Sequence, residues 1–143
     1  MSLNWSALPP SRLCIVTGAD TVTRADIKAY LDSSIEEGIK SYGKLVDITA
    51  CTLALDADDL ETVADDLIRY GAGEPPGPVA MVVASALNLD MAVLLKQRVG
   101  DRPFRIFTNA GAARAWLSAA QESQEAHALS SVMRTRQRRL RSI

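Results

Sequence analysis

From residue 12 to residue 120 the chain alternates short β-branched apolar runs with longer stretches of helical periodicity. That alternation limits its fold more than any other feature. Strands that alternate with helices form a largely parallel sheet covered by helices. Arg12-Leu13-Cys14-Ile15-Val16-Thr17-Gly18 reads as an interior strand that stops at glycine. Before it, Leu3 to Ala7 is short, and Pro9-Pro10 forces a turn because neither proline donates a backbone hydrogen bond. The two segments can therefore pair as a hairpin and add an antiparallel edge.

Thr23 opens the first helix, with Asp26 three residues on as a near capping box. Ile27, Tyr30, Leu31 and Ile35 supply its apolar face. Lys44 to Thr49 is the next strand. Asp56-Ala57-Asp58-Asp59 begins the second helix, where carboxylates meet the positive end of the helix dipole. Leu60, Val63, Ala64, Leu67 and Ile68 form its buried stripe. The Gly/Pro-dense stretch 71–78 is a loop. Val79 to Val83 reads as a strand covered on both faces. Asn88 is the expected cap of a third helix that ends at Val99. Phe104 to Phe107 is the last strand. Thr108 or Asn109 caps a final helix with Ala113, Trp116, Leu117 and Ala120 inward. The expected fold class is α/β: a mixed sheet of about five strands, a β-hairpin then β-α repeats, with four helices and a C-terminal helical extension.

At 143 residues the chain fits one domain, expected over residues 1–120, with residues 121–143 as a basic amphipathic tail. Apolar residues at 48% and charged residues at 23% are those of a globular protein rather than a disordered one. Two cysteines, Cys14 and Cys51, are too few for a disulfide scaffold and read as reduced core thiols. No apolar run reaches the roughly 20 residues needed to span a bilayer, and no secretory signal is visible at the N-terminus. The expected address is the cytoplasm.

Net charge is −1, but it is unevenly placed. Residues 1–120 carry 11 Lys and Arg against 15 Asp and Glu, whereas residues 121–143 carry 5 against 2. All five late cations are arginines: Arg134, Arg136, Arg138, Arg139 and Arg141. A solvated helix end explains them simply, and an acidic partner surface is the functional alternative. Nucleic acid or an anionic membrane is the weaker alternative, since no aromatics are interleaved with the arginines. Ala126, Leu129, Met133 and Leu140 form a weak stripe in the same segment. It has no place in a compact single-sheet core, so a second copy of the chain is its expected partner.

The third helix is apolar on more than one side, through Leu89, Met91, Ala92, Val93, Leu94, Leu95 and Val99. Such a helix either lies deep in the core or meets something else. Met91, Leu94 and Leu95 are the candidate ligand or subunit contacts.

The common catalytic constellations do not appear. There is no Gly-x-Ser-x-Gly elbow, no Walker-type loop and no Gly-x-Gly-x-x-Gly after the first strand. No His/Cys cluster has metal spacing, and the one histidine, His127, stands in the polar tail. Asp47 ends a parallel strand, where functional groups collect. A phospho-accepting receiver domain also needs acids after the first core strand and a lysine after the last. Here Thr17-Gly18-Ala19-Asp20 and Thr108-Asn109 hold those places. Asp56, Asp58 and Asp59 are better read as caps than as cation ligands.

Three stretches resemble the STAS-type fold of bacterial anti-sigma-factor antagonists, and more closely the SpoIIAA-like group of small bacterial proteins. They are Thr17 to Asp26, Lys44 to Ile48, and Arg105 to Asn109 through Ala115-Trp116-Leu117. The resemblance spans roughly residues 3 to 120. It implies a regulatory protein-interaction module, in which a Ser in an Asp-Ser-Ser-Gly turn before the second helix is phosphorylated by a partner kinase. The matching turn here is Asp56-Ala57-Asp58-Asp59. Ala57 has no hydroxyl, and a fixed carboxylate at Asp58 cannot toggle. No phospho-switch is therefore expected there; Thr49 and Thr52 are the nearby hydroxyls. These readings make Thr49, Thr52, Asp56, Asp58 and Asp59 the candidate partner-binding residues. The expected protein is a non-enzymatic homodimer without cofactor or metal. A small apolar ligand or lipid held near the third helix, close to Met81 and Met91, is the alternative, implied by comparison of the same group with lipid-carrying domains.

Overall fold

The structure, a computed structural model, describes residues 2–72, 76–100 and 103–123. The basic tail, with its apolar stripe, its arginines and His127, lies outside the described residues. Five strands form one sheet in the order β1-β2-β3-β4-β5. They are β1 (Leu3–Leu8), β2 (Leu13–Val22), β3 (Gly43–Leu53), β4 (Val79–Val82) and β5 (Phe104–Phe107). β1 is antiparallel to β2, joined by a 3-10 turn at Pro9–Ser11, and the other pairs are parallel. The helices are α1 (Arg24–Glu36), α2 (Ala57–Tyr70), α3 (Ala86–Val99) and α4, residues 110–123 of the described chain. The expected mixed α/β sheet with four helices is the one observed.

The sheet has two unequal sides. α1, α2 and α3 cover one side, where Cys14, Val16, Val22, Leu31, Ile48, Leu53, Val63 and Leu95 form a continuous core. α4 alone covers the other, setting Ala113 and Leu117 against Leu13, Leu45, Ala80 and Val82. Ala113, fully buried, lets the backbone of this helix approach the sheet, whereas its other alanines are exposed or half-buried. Trp116 and Phe107 close the margin with ring centroids 5.9 Å apart.

Local chemistry explains the helix starts. Thr23 and Asp26 form a complete capping box, each side chain accepting from the other's backbone N–H. Asp56 and Asp59 form a second one at α2. Asn109 accepts from Ala112 N at the start of α4. At α3 the cap is Ser85, which accepts from Asn88 N. Asn88 itself is an interior, buried residue, so the expected cap is moved three residues upstream.

Two strands run further than their sequence suggests. β2 continues past Gly18 to Val22, and β3 past Thr49 to Leu53. Beyond the ends of β1 and β4 they pair with each other as a two-stranded ribbon, from Ala19↔Ala50 to Val22↔Leu53. A bulge starts it: between Thr17↔Asp47 and Ala19↔Ala50, β2 advances two residues and β3 three. The Asp47 carboxylate holds the extra residue by accepting from Thr49 N at 2.9 Å and Thr49 Oγ1 at 2.6 Å. Asp20, on the partner strand, sits at φ 57°, a left-handed conformation that Asp tolerates better than most residues. Gly18 faces Cys51 so closely that a Cβ there would lie 2.7 Å from the sulfur.

Candidate functional site

The candidate site is the end of the molecule where this ribbon, the start of α2 and the start of α3 meet. Asn88 holds these parts together. Its amide Nδ2 donates to Ile48 O at 3.2 Å and Cys51 O at 2.8 Å, and its Oδ1 accepts from Leu53 N at 3.2 Å. One side chain thus satisfies three backbone groups on the edge of β3 that β4 is too short to reach. Buried backbone groups need such partners, because an orphaned one costs about 1–3 kcal/mol. Sequence reasoning missed this role. The signal was present: Asn88 shares a helical stripe with Ala92 and Leu95, both buried.

Thr49 and Thr52 are exposed on the ribbon's outer face, turned away from α1–α3, together with Ala50 and Thr21. Asp56 and Asp59 belong to the opposite side, where α2 begins, and both are engaged in the capping box. Asp59 also faces Arg24 of α1 at 3.9 Å. Asp58 is exposed, and its backbone carbonyl accepts from Thr62 Oγ1. The five residues therefore share one end of the molecule but lie on two faces of it. Phosphorylation of the α2 turn has no hydroxyl to act on at Ala57 or Asp58.

α3 lies on the surface rather than deep in the core. Asn88, Ala92 and Leu95 are its buried stripe, and Met91 is half-buried against the core. Leu87, Leu89, Val93 and Leu94 remain 38–53% exposed. A shallow groove of about 140 Å³ runs between α2 and α3, lined by Ala57, Leu60, Glu61, Leu94, Leu95 and Arg98. Arg98 bridges to Glu61 across it at 2.9 Å. Of the three candidate contacts on this helix, Leu94 faces the groove and solvent, Leu95 the core and the groove, and Met91 the core.

An apolar cavity of about 100 Å³ lies under α1–α3, lined among others by Val16, Ile48, Val63, Leu67, Met81 and Leu95. Lys44 and Tyr70 are at its wall. Lys44 is buried, with its Nζ donating to Lys40 O and standing 5.7 Å from the Tyr70 ring centroid. Lys40 Nζ stands 5.5 Å from the same ring. The Tyr70 hydroxyl shares a 2.6 Å hydrogen bond with Ser34, also buried.

Both thiols are free and buried. Desolvation pushes Cys14 above the ordinary thiol value, with the Lys44 cation opposing. Desolvation, reinforced by the Asp47 carboxylate, pushes Cys51 up as well. Thiols held protonated in this way are poor nucleophiles.

No protein-family profile matches the chain, and no curated protein matches it in sequence. The chain is similar to a solved structure. That structure is of an uncharacterised protein of the DUF3478 family from Shewanella loihica PV-4, described as having a SpoIIAA-like fold. The match has a TM-score of 0.53 and 17% identity, over 80% of this chain and 91% of that one. The chain has a SpoIIAA-like fold. Among the described residues no helix is long and apolar enough to cross a membrane.

Proposed function

We propose that this SpoIIAA-like protein is a non-enzymatic, cytoplasmic protein-interaction module of regulatory type that works as a homodimer. The observation that carries this reading is the exposed apolar flank of α3, from Leu87 to Leu94, beside the acidic α2. Exposed apolar side chains grouped on one surface mark contact sites more often than catalytic ones. The hydroxyl-free first turn of α2 supports a constitutive contact rather than one switched by phosphate. Native mass spectrometry of the gently purified full chain tests the reading. A dimer with no added mass is expected. A reproducible turnover that one polar substitution abolishes would overturn it.

A second reading, an apolar-ligand binder, is favoured by the cavity at Met81 and Leu95. Its size restricts the ligand. An apolar cavity of about 150 Å³ holds a benzene, so about 100 Å³ suits a few methylene groups and not a whole acyl chain. A lipid-sized mass increment in the same spectrum would put this reading first.

A further inference from the structure

We infer that the α2–α3 surface is the seat of residues 124–143 from a second copy of the chain. The inference rests on the homodimer reading and names the surfaces that would make it. Three observations meet there.

The first is charge. Residues 56–70 hold six carboxylates against one arginine. Glu61, Asp59 and Asp66 have partners in Arg98, Arg24 and Arg69. Asp58 and Asp65 are exposed and form no ion pair among the described residues. They stand seven residues, or two helical turns, apart on α2. Residues 124–143 hold five arginines against one glutamate, and Arg134 and Arg141 repeat that seven-residue spacing. The same carboxylates disfavour nucleic acid and anionic lipid as occupants.

The second is apolar surface. Ile68 is 52% exposed on α2; on α3, Leu87 and Leu94, also seven residues apart, are 53% and 48% exposed, and Leu94 lines the groove. The stripe Ala126, Leu129, Met133 and Leu140 is its counterpart in sequence. The stripe spans residues 126–140 in sequence, close to the 14 residues of α2.

The third is where the described chain ends. α4 packs on the side of the sheet opposite α2 and α3. Near its end Gln121 Nε2 donates to Arg12 O at 2.6 Å, at the foot of β2. To reach its own α2–α3 surface the tail must pass the sheet and two packing layers of about 10 Å each. That consumes about six extended residues, and with them Ala126 and Leu129. A second copy imposes no such detour, so the whole stripe can lie along α2.

The test uses the full-length chain. Thr135→Cys carries a nitroxide, which the buried Cys14 and Cys51 accept poorly, and it is mixed with an isotope-labelled chain that has no nitroxide. The expected result is line broadening at the Ile68 and Leu94 amides of the isotope-labelled chain. Asp58→Lys/Asp65→Lys in that chain removes the broadening and raises the dimer Kd about tenfold. Arg134→Asp/Arg141→Asp in the nitroxide chain restores both. A mixture that sediments as a dimer without broadening at α2–α3 overturns this inference and leaves the homodimer standing. Broadening only when both labels share one molecule places the tail on its own chain and overturns the exchange. A monomer at all concentrations overturns the homodimer reading and this one together.

Discussion

The two sides of the sheet are built on different terms. Under α1–α3 the core is continuous from Leu3 to Leu95 and is pinned by polar groups: Asn88 on the β3 edge, Ser34 on Tyr70, Lys44 on Lys40 O. Under α4 the apolar core is smaller, six buried hydrophobic residues among the described ones, with one helix to hold them. On the outer face, Thr17 of β2 and Thr21, Thr49 and Thr52 at the ribbon are exposed. The contrast separates stability from availability. The pinned side fixes the shape, and the thin side together with the outer flank of α3 leaves surface free for contact.

The largest expected effect comes from Leu117→Ala. Leu117 is almost fully buried at the centre of the smaller core, and such truncations cost about 2–5 kcal/mol. Denaturant unfolding measures the loss, and amide exchange locates it. Faster exchange confined to α4 sustains the contrast between the sides; a uniform rise would erase it. On the other side, Asn88→Ala orphans Leu53 N and Cys51 O and leaves Ile48 O only the weak Cys51 thiol donor, at about 2–4 kcal/mol. There the exchange should rise first in residues 48–53.

Smaller effects sharpen the same comparison. Asp56→Ala removes a helix cap and should cost about 1 kcal/mol, seen as a lower denaturation midpoint with the fold unchanged. The two raised thiols give a pH dependence with a definite sign. Above the ordinary thiol value the unfolded chain has lost protons that the native chain retains. Stability therefore falls as pH rises past about 9. Replacing both cysteines by alanine should flatten that slope in an alkaline denaturation series. At the small end, Thr52→Glu on the ribbon's outer face should shift stability by no more than about 0.5 kcal/mol. If it nonetheless weakens the dimer, the ribbon belongs to the interface.

The element order was legible because periodicity carries it. Ile27, Tyr30 and Leu31 on one helix and Val79 to Val83 on one strand declare themselves. The capping residues Thr23, Asp26 and Asp56 were legible for the same local reason. The ribbon was not. Leu45 faces α4, yet Cys51 and Leu53, an even number of residues on, face α1–α3. The bulge at Thr49 reverses the alternation, so a strand read by twos stops there. Lys44 and Asn88 were hidden differently. Each is a polar residue whose partners, at Tyr70 or Ile48, are set by packing between elements distant in sequence. The surface position of α3 lay between, since its all-round apolar character was visible and its exposure was not.

The fit of Gly18 against Cys51 bears on the paths by which this sequence can change. A methyl at residue 18 would lie 2.7 Å from the Cys51 sulfur, so the cysteine side chain must shift to admit it. Trimming residue 51 to alanine first removes that 2.7 Å clash and leaves the methyl 3.3 Å from the residue 51 Cβ and from Val22 Cγ2, contacts that small shifts can relax. The two substitutions therefore have a permitted order, with Cys51→Ala opening a route that Gly18→Ala taken alone would close. Lineages that keep the cysteine are held to glycine at 18, and those that lose it are released, so the two positions should drift as a pair.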